Sequence, residues 1–387
     1  MTSWTTASTS RRSFLKISVT AGGVLLLGGG LSACGGDESG GDTESGSDAK
    51  IGASLDEIAT LAKQEGHVQL IAYPETWANY KGHFKEFTAK YGVKVEVANP
   101  DGSSAQELQA VKTLKGQKTQ PDVLDIGYSF TKPAIQGGLL EKYKPSNFDS
   151  IPDALKDSEG WWVGAYYGVL TIGVNPKAVD NVPKTFADLL KPEYKGKIMM
   201  PGDPRQGASS NATVVAAALS RGGGPGNIGA GIDYFAELKK SGNLVTATSV
   251  ASALTTGEAA IAFDWNYNFV GIAEELAKSK VVLEQVVPTD GVFGVYYAQP
   301  LTVASPQPNA GRLWIDWLTS DEGSEQYALG GAVPARIAEV KDKLSKKALD
   351  TLPDPAVLEK VVFPTIEQGE TDAKLLVEQW GPKVLNQ

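Results

Sequence analysis

Trp161-Trp-Val-Gly-Ala-Tyr-Tyr-Gly-Val-Leu-Thr-Ile-Gly-Val-Asn175 is the stretch on which the reading of the chain turns. Its second half, Val169–Val174, is an apolar and β-branched run broken by Thr171 and Gly173, the composition of a buried strand. Ahead of it stand Trp161, Trp162, Tyr166 and Tyr167, spaced by Gly164 and bounded by Gly168. The pattern returns as Gly294-Val-Tyr-Tyr-Ala-Gln-Pro-Leu-Thr-Val-Ala304, again a tyrosine pair feeding a β-rich run. Two crossings of this kind suit a chain that leaves one lobe, builds a second and comes back. Two ordinary core strands with aromatic neighbours would give the same local pattern.

Outward from this stretch, helices and short apolar strands alternate without a repeat, which is α/β patterning with a largely parallel sheet. Upstream, Leu55–Glu65 reads as a helix capped by Ser54, Val68–Ala72 as a strand and Tyr80–Tyr91 as a helix. Val93–Val97 alternates as a strand, Ala105–Leu114 is helical, and Pro121–Ile126 reads as a strand opening on Gly127-Tyr-Ser-Phe130. Downstream, Lys184–Leu190 is a capped helix and Ile198–Met200 a strand. A turn-rich loop, Pro201–Asn211, leads into the apolar helix Ala212–Leu219. Ala259–Phe263 is a strand followed by Asp264-Trp-Asn-Tyr-Asn268, Asn309–Leu318 is an amphipathic helix, and a helical tail closes the chain.

The N-terminus carries a different signal. Ser10-Arg-Arg-Ser-Phe-Leu-Lys16 precedes a weakly apolar, Gly-rich run and then Leu31-Ser-Ala-Cys34. The run is shorter than the ~20 residues a membrane span requires, so it reads as a targeting segment. The paired arginines resemble a twin-arginine export signal and the last four residues a bacterial lipobox. That resemblance implies cleavage before Cys34, the single cysteine of the chain, and lipidation of its sulfur. Residues 1–33 are then a signal peptide. Residues 34–50, almost all Gly, Ser, Asp and Glu, are a flexible acidic tether with nothing to bury.

Removing Arg11, Arg12 and Lys16 with the signal leaves 33 basic against 45 acidic side chains. An acidic exported chain argues against nucleic acid as a partner. Only His67 and His83 are present, each expected at the surface, so a His-rich metal cluster is excluded, and no cofactor is expected. No Gly-x-Ser-x-Gly elbow and no His-Glu-x-x-His motif occurs. The form left to an enzyme is a carboxylate-dependent hydrolase built on Glu75 and Asp264; a binder is the preferred reading.

Pro121-Asp-Val-Leu-Asp125, Lys191-Pro-Glu-Tyr-Lys-Gly-Lys197, Gly257-Glu-Ala-Ala-Ile261 and Thr319-Ser-Asp-Glu-Gly323 occur in an order that resembles extracellular solute-binding proteins of ABC importers. The likeness is nearest to the branch for polyamines, ferric iron and phosphonates. It implies a two-lobed type II periplasmic binding protein fold with two strand crossovers and an interlobe cleft. Lobe 1 would comprise 51–168 with 300–387, and lobe 2 would comprise 169–299. The partners implied are a small solute, ABC permease subunits and, through Cys34, the outer face of the cell membrane; a monomer is expected.

In open α/β sheets the ligand lies beyond the carboxyl ends of the strands. That rule selects Glu75 and Trp77, Tyr128 and Ser129, the segment Asp203–Asn211, and Asp264 to Tyr267; Tyr166, Tyr167, Tyr296 and Tyr297 lie at the crossings. Glu75, Trp77, Tyr128, Asp264 and Trp265 combine carboxylates with aromatic faces and suit an organic cation. Arg205 with Ser209, Ser210 and Asn211 ahead of a helix suits a phosphate or carboxylate instead, or plain N-capping. Iron-binding relatives carry an adjacent tyrosine pair after the Gly-Glu strand; here that place holds Asp264-Trp-Asn-Tyr267, a departure that weakens the iron reading.

Overall fold

A computed structural model describes residues 49–386 apart from 246 and 248. The signal peptide, Cys34 and most of the tether lie outside the described residues. Helix α1 (Leu55–Glu65) starts where Ser54 accepts a hydrogen bond from the Glu57 N–H, and stops at Gly66 in the left-handed region. Strand β1 (His67–Ile71) and strand β2 (Lys94–Ala98) pair in parallel around helix α2 (Tyr80–Tyr91). Helix α3 (Ser104–Thr113) opens with a capping box between Ser103 and Gln106.

Pro121–Ile126 departs from the expected strand. Strand β3 is only Ile126–Gly127, and Val123 makes isolated bridges to Leu70 and Leu301. The reason is that acid side chains take the place of ladder carbonyls. Asp122 accepts from the Gln69 N–H at 2.7 Å, the Ser305 hydroxyl at 2.5 Å and the Gln307 N–H at 2.9 Å. The Asp125 N–H donates to the Glu107 carboxylate at 2.8 Å.

After helix α4 (Thr131–Gln136) and strand β4 (Leu140–Glu141) comes strand β5 (Val163–Val174), twelve residues that are all buried. Its glycines are required by neighbouring rings. A Cβ at Gly168 would sit 2.6 Å from the Tyr267 ring, and one at Gly173 2.5 Å from the Phe269 ring. Helix α5 (Phe186–Leu189), strand β6 (Ile198–Met199) and helix α6 (Ala208–Leu219) follow. Helix α6 begins four residues earlier than Ala212, with Gly207 as its N-cap, so Ser209, Ser210 and Asn211 lie inside its first turn. They do not cap it: the Ser210 hydroxyl donates back to the Gly207 carbonyl at 3.0 Å.

Helix α7 (Gly229–Lys240), strand β7 (Leu244–Val245) and helix α8 (Val250–Thr256) lead to strand β8 (Ile261–Trp265) and helix α9 (Asn266–Lys278). Asp264 is therefore within the strand rather than after it. Strand β9 (Glu284–Val286) precedes the return crossing, strand β10 (Gly294–Gln299), which Pro300 separates from strand β11 (Leu301–Thr302). Helices α10 (Pro308–Thr319) and α11 (Asp321–Leu329), strand β12 (Val333–Pro334) and three short helices α12 (Ile337–Val340), α13 (Lys346–Leu349) and α14 (Pro355–Leu358) follow. The long helix α15 (Ile366–Trp380) ends the fold.

The main sheet runs β3-β10-β5-β8-β6-β7, with β12 and β9 also on β5. The first half of β5 pairs with β10 and β12, and its second half with β8 and β9. The two crossings expected from the sequence are thus one antiparallel ribbon at the centre of the sheet. Helix α15 touches both sides of this ribbon. Glu370 pairs with Lys132 of α4, Asp372 accepts from the Gly226 N–H at 3.0 Å, and Trp380 packs on Phe235 of α7. His83, expected at the surface, is fully buried on α2 among Tyr80, Trp314, Trp317 and Tyr327. Among the described residues no helix is long and apolar enough to cross a membrane.

Candidate functional site

A cleft of about 660 Å³ opens at the carboxyl end of β1 and β3 and is closed on the far side by the start of α6. Two acids form its floor. Asp125, 5 % exposed, accepts hydrogen bonds from the Tyr80 hydroxyl at 2.8 Å, the Tyr166 hydroxyl at 3.1 Å and the Gln299 amide. Burial pushes its carboxyl up to about 7, against the pull of those three donors. Glu107, 1 % exposed, is raised well above the usual carboxylate range, first by burial and then by the charge of Asp125.

An aromatic wall rises from this floor. Trp77 Nε1 donates to the Tyr166 hydroxyl at 2.5 Å, and the Trp77 ring meets Tyr267 and Tyr297 edge-on, with centroids 5.0 and 5.3 Å away. Tyr166 and Tyr297 lie parallel at 5.7 Å. Tyr128 and Ser129 continue the lining, and Gly369 of α15 lies so close to the Tyr128 hydroxyl that a Cβ there would come within 2.4 Å.

The opposite wall is Pro204, Arg205, Gln206, Gly207 and Asn211. Arg205 is exposed and holds Asp203 in a two-pronged ion pair, with Nε at 2.9 Å and Nη2 at 2.5 Å from its oxygens. That guanidinium keeps the Asp203 carboxyl below the usual range. The cation on this wall is therefore already matched by an anion.

Of the residues selected from the sequence, Trp77, Tyr128, Ser129, Tyr297 and, from the 203–211 segment, Arg205, its neighbours and Asn211 line the cleft, and Tyr166 supports its floor. The others lie elsewhere. Glu75 is exposed on its loop. Strand register splits each tyrosine pair: Tyr166 faces Tyr297, while Tyr167 packs on Phe363 and Tyr296 stacks on Trp162. Trp265 is a core side chain, and Tyr267 is buried behind Trp77. Asp264 does not line the cleft; it accepts from the Trp265 N–H and the Asn268 amide, both at 2.8 Å. Burial raises it to about 6. Asp264, which the sequence offers as a carboxylate for an organic cation, is instead satisfied within the fold. Ser210 is buried within α6.

Asp125 and Glu107 were not among those residues. The available signal was an acid at each of two otherwise apolar positions, between Leu124 and Ile126 and beside Leu108.

The comparisons with known proteins agree with this geometry. The family model described as a bacterial extracellular solute-binding protein matches residues 118–361. An uncharacterized protein of Haemophilus influenzae is 26 % identical over 318 residues, which span 78 % of this chain and 86 % of that protein. The spermidine/putrescine-binding periplasmic protein of Escherichia coli is 25 % identical over 322 residues, 77 % of this chain and 85 % of that protein. The periplasmic binding protein AfuA of Actinobacillus pleuropneumoniae, solved with fructose 6-phosphate bound, superposes with a TM-score of 0.64 at 20 % identity. The match covers 82 % of this chain and 99 % of that structure, and establishes a shared fold. With the type II periplasmic binding protein fold and a matching family model over most of its length, the chain belongs to the bacterial extracellular solute-binding proteins.

Proposed function

We propose that the protein is the extracytoplasmic solute-binding component of an ABC importer and that its solute is a polyamine-like organic cation. The observation that carries this reading is the pair of buried acids on the cleft floor, Glu107 and Asp125, in a cleft that Trp77 also lines. Two buried carboxyls with no buried base in the cleft lining suit an ammonium group, which supplies charge-assisted hydrogen bonds and a cation–π contact together. The name of the Escherichia coli relative supports the same class. Titration calorimetry with spermidine, putrescine and fructose 6-phosphate tests it. The two amines are expected to bind and the sugar phosphate not to, and Arg205→Ala is expected to leave amine affinity within about twofold, as befits a rim charge already paired. Tight sugar-phosphate binding that Arg205→Ala abolishes would replace the reading with an anionic solute.

That second reading has its own support. The uncapped N-terminus of α6, with Asn211 and Arg205 beside it, is a plausible anion cradle, and the AfuA structure holds a phosphorylated sugar on the same fold. The matched Asp203–Arg205 pair weighs against it. A ferric site built on adjacent tyrosines is disfavoured because strand register points each pair to opposite faces. A hydrolase on Glu75 and Asp264 is disfavoured because neither side chain lines the cleft.

We further place the protein as a monomer on the outer face of the cell membrane, held by lipid on Cys34 and delivering its solute to ABC permease subunits. Lobe 1 then comprises 51–168 with 300–387 and lobe 2 comprises 169–299, and α15 of lobe 1 also packs on α7 of lobe 2. Cys34→Ser is expected to release the protein into the soluble fraction or leave it unprocessed, since acyl chains contribute ~0.8 kcal/mol per buried methylene. Replacing Arg11 and Arg12 by lysine is expected to block export. A membrane-bound, normally processed Cys34→Ser protein would sink the anchor.

A further inference from the structure

We propose that Glu107 and Asp125 share one proton in the free protein, and that capture of a cationic solute expels it. The inference rests on the amine-binding reading and adds to it how the cleft keeps its floor neutral enough to fold and still charged enough to bind.

The geometry sets the problem. The Glu107 carboxylate accepts from the backbone N–H of Asp125, which makes the two acids neighbours on the cleft floor, and both are buried. Among the described residues, the groups around them supply hydrogen bonds but no positive charge. From α2 comes Tyr80, and behind it His83; from β5 comes Tyr166; Tyr73 acts through Gln299. Tyr297 of β10, Tyr267 of α9 and Tyr327 of α11 lie close enough for the charge of Asp125 to raise them, and Ser104 lies close enough to lower Glu107. Every one of these tyrosines is raised above its ordinary value by burial and stays neutral. Burial likewise holds His83 neutral, at about 3. At the mouth, Asp101 is exposed and Arg205 is committed to Asp203. Two adjacent buried carboxylates without a counter-ion cannot both stay ionised near neutrality, and such a pair titrates as a unit. One retained proton leaves the pair with a single negative charge.

An ammonium group arriving above the pair supplies the missing positive charge. The carboxyl O–H bond then breaks, the proton passes to solvent, and two carboxylates accept hydrogen bonds from the ammonium. No redox partner or leaving group is involved. Solute uptake and proton release are thereby linked one to one.

The test is calorimetric titration of the full chain with spermidine at pH 7 in phosphate and in Tris, whose ionisation enthalpies differ. The buffer dependence of the enthalpy is expected to report close to one proton released per spermidine, and affinity is expected to rise up to about tenfold per pH unit while the pair remains protonated. Glu107→Gln and Asp125→Asn are each expected to bind more weakly and release little proton. Tight spermidine binding with no buffer dependence overturns the proposal while leaving the solute class intact. Independently of any solute, the infrared difference spectrum between wild type and the Glu107→Gln/Asp125→Asn double variant is expected to contain an acid-form carboxyl C=O band at pH 6. Asp122, raised to about 8, contributes equally to both proteins and cancels. A missing band overturns the shared proton even where spermidine fails to bind, and a band without spermidine binding overturns the solute class instead.

Discussion

Spermidine is expected to bind Asp125→Asn about 10- to 150-fold more weakly than the wild-type protein, the equivalent of the ~1.5–3 kcal/mol carried by a hydrogen bond to a charged group. The substitution keeps the size of the side chain and removes its charge. The Tyr80 and Tyr166 hydroxyls can still donate to an amide oxygen. The amide nitrogen, however, faces the Gln299 nitrogen, and Gln299 is fixed from its other end by the Tyr73 hydroxyl at 2.5 Å. Some rearrangement of that glutamine follows, so unfolding of the free variant needs to be measured beside its affinity. Calorimetry with both proteins decides the matter: equal affinities would remove Asp125 from the solute's surroundings and return the search to the α6 wall.

The other large effect concerns acid stability. His83 is fully buried, and neither ring nitrogen has a hydrogen-bond partner among the described residues. Burial lowers its pKa from an ordinary 6.5 to about 3. For a base depressed in this way, the unfolded chain takes up a proton below pH 6.5 that the folded chain refuses until about pH 3. Folding stability is therefore lost as pH falls through that window, by ~1.4 kcal/mol per pH unit. His83→Phe fills the same ring site among Tyr80, Trp314 and Trp317 without a titrating group. Its stability relative to wild type is expected to improve by ~2.3 kcal/mol between pH 6.5 and pH 4.5. Buried acids such as Asp122 and Asp125 act with the opposite sign, since protons held in the folded state stabilise it as pH falls, and they drop out of the comparison. Denaturant titrations of both proteins at the two pH values measure the difference. Parallel curves would mean that the ring is solvated or protonated in the folded state.

How much of this could be read from residues alone depended on whether the decisive contact was local. Helices α1 and α2 matched their expected bounds because Ser54, Gly66 and Gly92 mark their ends within a turn of the chain. The second half of the crossing, Val169–Val174, was legible because an apolar, β-branched run has few other uses, whereas its aromatic first half from Val163 was not read as strand. Pro121–Ile126 misled because Asp122 and Glu107 supply acceptors from the side chain, which no local propensity records. The cleft was half legible. Trp77, Tyr128 and Ser129 follow directly from the strand-end rule. Glu107 and Asp125 meet only in three dimensions, and each alone looks like an ordinary acid. The facing of Tyr166 and Tyr297 was set by register, and a slip of one residue would have presented Tyr167 and Tyr296 instead.

Strand β5 has a consequence for unfolding as well as for the cleft. Four other strands lean on its twelve buried residues, two on its first half and two on its second. Melting either lobe strips hydrogen-bond partners from the ribbon that the other lobe needs. A chain of this size would ordinarily be free to lose its parts in turn. Here the shared strand makes the two halves thermodynamic dependants of each other, so neither is an autonomous folding unit.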